Sequence, residues 1–206
     1  MISLGCAKNL VDAEVMMGSL LKEGFEITNE NADADALIIN TCSFIDAAQE
    51  ESVDTILESA EFREHANSVQ ALIVSGCLSQ RYRKELPKLM PEVDAFMGID
   101  QVEQVGDIVR QAVGNRGSRL GQATEKPNGN ETETTAEPPG EPLIDIHSRP
   151  DYIPAFETPR LRLTPDHFAY VKIAEGCNHP CSFCIIPRMR GSHRSRSQAD
   201  IVQEAR

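Results

Sequence analysis

Three cysteines, Cys177, Cys181 and Cys184, stand at offsets of four and three in the stretch CNHPCSFC. Gly176 precedes them, and Pro180 and Pro187 force a loop. Three thiolates converging on one side of a cubane leave the fourth iron of a 4Fe-4S cluster free to bind a small molecule. A Cys3His zinc site is the rival, because His179 and His193 are nearby. Zinc sites more often use paired CxxC knuckles, and the second pair is missing here. The three cysteines are therefore read as cluster ligands, and His179 as a surface residue or a neighbour of the ligands.

The other three cysteines, Cys6, Cys42 and Cys77, are dispersed, yet each follows a short apolar run: ISLGC, LIINTC and LIVSGC. If these runs are strands of one parallel sheet, their ends share an edge, and ligands bind in the crevice at such an edge. Three thiolates meeting there would hold a second cluster with an open iron. The same placement fits buried cysteines that only pack. Gly5 and Gly76 allow close backbone approach to a bulky inorganic group.

Those strands come from a layout of alternating apolar runs and amphipathic stretches, the pattern of a parallel sheet with crossover helices. Strands are expected at residues 2–5, 34–40, 70–75 and 94–98. Helices are expected at residues 9–24, 44–65, 80–86 (before Pro87) and 101–113. The fold class is α/β: a flavodoxin-like parallel-sheet domain over residues 1–114, a flexible linker or insertion over 115–160, and the start of a partial (β/α) barrel over 161–206. The linker is assigned from eight prolines between 115 and 165 and from GQATEKPNGNETETTAEPPGEP, which lacks aromatics and periodicity. HFAYVKIA (167–174) is expected to open the second domain as a buried strand, and SQADIVQEAR to be its first helix. Only the first β-α unit of that domain is expected, so the chain is read as cut at both ends.

Composition narrows the setting. No window approaches the roughly 18 apolar residues of a membrane span, and MISLGCAKNL lacks the regions of a signal peptide. A cytoplasmic location is expected, where six cysteines serve metal binding or catalysis rather than disulfides. The net charge of −12 lies wholly in residues 1–110, which hold 20 acidic and 8 Lys/Arg residues. Such a face suits a basic protein partner better than a nucleic-acid backbone, and it also suits a plain solvated surface. Glu14, Glu50 and Glu51 are read as solvated helix faces. The run Arg188, Arg190, Arg194 and Arg196 is read as neutralising a reduced cluster, touching RNA, or ordinary surface charge.

GCAKN, NTC, GCLSQRY and EGCNHPCSFCIIPRMRGSHRSR together resemble the methylthiotransferases, radical S-adenosylmethionine enzymes with a 4Fe-4S cluster in each of two domains. SLGCAKNLVDAE, INTCSFIDAAQEES and GCLSQRYRKELPKLMPEVDAFMG look like the branch that modifies a ribosomal protein. The tRNA-modifying branches typically show another context after the first cysteine, such as GCQMN, where this chain has Lys8 and Asn9.

The resemblance implies methylthio transfer to the β-carbon of an aspartate in small-subunit ribosomal protein twelve. One S-adenosylmethionine methylates sulfur associated with the first cluster; a second yields the radical that takes hydrogen from the aspartate. Cys6, Cys42 and Cys77 would bind the first cluster, Cys177, Cys181 and Cys184 the second, and Phe183 would lie near the adenine. The cofactor carries the hard step, so no acid or base residue is assigned. The implied partners are the ribosomal protein and an external electron donor, with tRNA the alternative substrate and no membrane. A zinc or electron-transfer protein is the reading from another class. The missing barrel strands and substrate domain imply that these residues alone do not turn over.

Overall fold

Runs such as LIIN and LIVS suit strands covered on both faces, and the fold uses them so. The computed structural model describes residues 1–65, 70–124 and 141–206. The chain opens with β1 (Ile2–Ser3) and α1 (Ala7–Lys22), followed by β2 (Ala36–Thr41) and α2 (Asp46–His65). Next come β3 (Ala71–Gly76), α3 (Cys77–Arg81), α4 (Leu86–Leu89), β4 (Ala95–Met97), α5 (Val105–Thr124) and β5 (Leu143–Asp145). All five strands pair in parallel, in chain order from β1 to β5. The result is the expected open α/β sheet of flavodoxin-like kind.

Side chains alternate across this sheet with the period of two that strands impose. Ile38, Ile73, Ala95 and Met97 meet Val15, Met16 and Leu20 of α1 and Val105, Ile108 and Ala112 of α5. Leu37, Ile39, Leu72, Val74 and Phe96 meet Ile56 of α2, Leu78 of α3 and Leu86 of α4 on the opposite face.

The second segment holds β6 (Ala174–Glu175), α6 (Ile186–Met189), β7 (Arg194–Ser195) and α7 (Gln198–Glu204). The expected buried strand over 167–174 is absent: β6 and β7 form a two-residue antiparallel pair, and Phe168, Tyr170 and Ile173 are exposed. No closed barrel forms among the described residues. An apolar run becomes a strand only where a neighbouring strand takes its backbone groups in register; here the carbonyls of Phe168, Tyr170, Lys172 and Ile173 instead accept from Thr164, Arg160 and Arg196.

Three smaller differences have local causes. The helix expected at 80–86 is split, and Pro87 stands in the first turn of α4 rather than after a helix end, a position where its missing N–H costs nothing. The last helix runs past residue 114 to Thr124. Leu143–Asp145, from within the span expected to be linker, becomes the fifth strand by pairing with β4. Residues 125–140 of that span lie outside the described residues.

Candidate metal centre at the sheet edge

Register brings the dispersed cysteines to one level. Asn40 pairs with Ser75 and Thr41 with Gly76, so Cys42 and Cys77 are the next residues out of neighbouring strands. Ser3 pairs with Asn40, and the Leu4 N–H donates to the Asn40 carbonyl at 2.9 Å, carrying Gly5 and Cys6 over the same edge. Cys6 is exposed at the N-cap of α1, while Cys42 and Cys77 are buried.

Gly5 and Gly76 both sit at φ +93°, where L side chains are strained. A Cβ on Gly5 would stand 2.7 Å from the Cys42 Cβ, and one on Gly76 2.5 Å from Asn40 Oδ1. The bare backbones therefore let the cysteine segments close on one another.

Polar side chains fix this edge. Asn9 Nδ2 donates to the Thr41 carbonyl at 2.7 Å, and Asn40 Nδ2 donates to the Asn9 carbonyl at 2.7 Å. The Ser52 hydroxyl, from α2, accepts from the Cys42 N–H at 3.0 Å. Asn40 Oδ1 is buried with no hydrogen-bond partner.

The second cysteine loop is flanked by residues that reach the same edge. Its turn is closed by Cys184 N–H to the Cys181 carbonyl at 3.1 Å, and the Cys177 N–H donates to the Gly191 carbonyl at 3.1 Å. Cys181 is exposed, and Cys177 and Cys184 are half-buried. Arg190, beside Gly191, is 2% exposed and reaches the first group. Its Nη2 donates to Asn9 Oδ1 at 2.7 Å and to Cys77 Sγ at 3.3 Å, and its Nη1 donates to Glu175 Oε2 at 2.9 Å. Lys172 pairs with Asp12 and with Glu175, and Lys8 pairs with Glu175 at 3.3 Å.

Burial pushes the Cys77 thiol up to about 11, against the pull of Arg190. Burial would also raise the Glu175 carboxyl, but Lys172, Arg190 and Lys8 outweigh it and hold it at about 2. Arg190 is held cationic: burial works against its charge, and Asp12, Cys77 and Glu175 overcome that.

Two expectations change. Glu14 is not on a solvated face; it is 0% exposed, and Arg160 Nε donates to its carboxylate at 2.8 Å. Glu50 and Glu51 are exposed, as expected. The arginine run is not one surface patch. Arg190 and Arg196 are buried, Arg196 pairing with Asp200 and Glu204, while Arg188 and Arg194 line an open cleft of about 1100 Å³ with Arg81 and Arg83.

Phe183 is 88% exposed, and His179 is exposed. Among the described residues, one group of three brings ligand atoms within 4.8 Å of each other, Asp100, His147 and Asp151. Asp100 there accepts the Asp151 and Tyr152 N–H groups, which accounts for its place. Neither cysteine trio is so tight. One zinc ion needs its ligands close together, whereas thiolates on different irons of a cubane are held further apart. Asp12 was not singled out by the sequence; Arg190 was read only as one of a basic run and Asn9 only by its context after Cys6, and the burial of all three was not foreseen.

The fold and its cysteine edge define the class: residues 1–98 match the family described as uncharacterized protein family UPF0004. Over its whole length the chain is 48% identical to the ribosomal protein uS12 methylthiotransferase RimO of Akkermansia muciniphila, of which it covers 41%. It is 47% identical over its whole length to the RimO of Opitutus terrae, covering 40%. It is 46% identical over 99% of its length to that of Solibacter usitatus, covering 37%. The chain is thus similar along its whole length to part of the methylthiotransferases. It spans about two fifths of the length of these relatives. Among the described residues, no helix is long and apolar enough to cross a membrane.

Proposed function

We propose that this chain serves a radical S-adenosylmethionine methylthiotransferase that modifies an aspartate of ribosomal protein uS12 in the cytoplasm. The observation that carries the reading is that two cysteine trios, 100 residues apart at Cys77 and Cys177, adjoin one buried polar junction. Similarity to uS12 methylthiotransferases along the whole chain supports it.

Cys6, Cys42 and Cys77 would hold one 4Fe-4S cluster, and Cys177, Cys181 and Cys184 another. The residues fit such groups: three thiols per set, bare glycine backbones at positive φ beside two of them, and the buried, unpartnered Asn40 Oδ1 against Gly76. When bound, the clusters supply electrons for cleaving S-adenosylmethionine and a place for the sulfur that is transferred.

The chain's own contribution is position and charge. α1, β2 and α3 set the three thiols at one edge, and buried Asn9 and Asn40 keep that edge rigid. The exposed Phe183 is free to cover the adenine of S-adenosylmethionine. The acidic charge of residues 1–110 suits a basic ribosomal protein. An external donor supplies the electrons.

The test is mass spectrometry of uS12 and of tRNA from a strain lacking the gene. Loss of the methylthio mass on the uS12 aspartate, restored by the full-length gene, is expected. Loss of a methylthio nucleoside with uS12 unchanged would assign the activity to tRNA instead.

A further inference from the structure

We propose that Arg190 is a positioning residue shared by the two cysteine groups. It holds the Cys77 sulfur and, through Glu175, seats the Cys177 loop, so the second segment sets the charge felt by the first group. The inference rests on reading Cys6, Cys42 and Cys77 as cluster ligands.

Arg190 is 2% exposed, and burying a guanidinium is costly unless its donors are used. Its partners come from both parts of the chain: Asn9, Asp12 and Cys77 on one side, Glu175 on the other. Glu175 lies two residues before Cys177, and Arg190 directly precedes the Gly191 carbonyl that accepts the Cys177 N–H.

The charges around it are unequal. Arg190, Lys172 and Lys8 are positive, and Asp12 and Glu175 are their negative partners. The surplus positive charge is what an anionic sulfur at Cys77 would balance.

Hydrogen bonds to cluster sulfurs and nearby charge set the reduction potential. Arg190 therefore makes the first cluster easier to reduce, and it does so only while the second loop is seated.

The test uses the full-length protein carrying Cys177→Ala, Cys181→Ala and Cys184→Ala, reconstituted with iron and sulfide, so that only the first group can load. This parent is expected to hold about four irons per chain. An Arg190→Met version should keep that iron. Its ratio of reduced to oxidised cluster, read by electron paramagnetic resonance at fixed potential, should fall about tenfold, or about 59 mV for a one-electron couple. Arg190→Lys should fall less.

An unchanged ratio in Arg190→Met with iron retained overturns the proposal and leaves the ligand assignment standing. Where Arg190→Met fails to load, Arg190→Lys and Glu175→Gln decide, and an unshifted ratio in both overturns it. A parent that binds no iron overturns the ligand assignment, and this proposal with it.

Discussion

Glu175 is 3% exposed and lies between Lys172, Arg190 and Lys8. Burial alone would raise its carboxyl from 4.5, and the three cations instead hold it at about 2. A carboxyl whose folded value lies below its unfolded one contributes stability that is full above the unfolded value and lost as pH falls toward the folded one. For Glu175 that window runs from about 4.5 down to about 2. Glu175→Gln should therefore cost on the order of 3 kcal/mol at pH 7, with the gap to wild type narrowing as pH falls through the window. Urea unfolding of the metal-free protein at pH 7 and pH 3 measures it, and an equal gap at both contradicts the pairing. None of this was legible in the sequence. Glu14 read as a helix-surface acid, and Asp12 drew no notice, because their partners stand far off in the chain, 178 positions away for Arg190 and 146 for Arg160.

Elements explain what was legible and what was not. β2 and β3 were plain because continuous apolar runs fit strands covered on both faces, and their ends then placed Cys42 and Cys77 side by side. β5 was hidden because three residues carry too little pattern to show through a Pro-rich stretch. The run at 167–174 misled because hydrophobicity does not supply a pairing partner. The link between α2 and Cys42 is a single hydroxyl, since Ser52 takes the Cys42 N–H and lies 2.9 Å from the Cys42 carbonyl oxygen. Ser52→Ala should leave that buried N–H unpaired and destabilise the protein by about 2 kcal/mol. Cluster loading at limiting iron should fall with it. Urea unfolding and iron assay check both, and wild-type values in each would show that α2 does not position Cys42.

At the scale of the whole molecule, the second segment is wrapped on α1. The Leu161 N–H donates to the Glu14 carbonyl at 2.9 Å, and Gly18 leaves room for the backbone of Pro159 and Arg160, which a Cβ there would meet at 2.4–2.6 Å. Buried ion pairs of Asp12 and Glu14 with Lys172, Arg190 and Arg160 run along that seam. Removing one partner of such a pair leaves an uncompensated charge, so the seam resists separation. The two cysteine groups are thereby held at a common junction rather than on independent parts. Both cysteine groups are proposed to hold clusters. Iron per chain in the reconstituted full-length protein tests it most directly. Wild type should bind about eight irons, and Cys42→Ala and Cys181→Ala about four each. Cys42→Ala with the wild-type iron content would contradict the claim and leave the sheet-edge cysteines as packing residues.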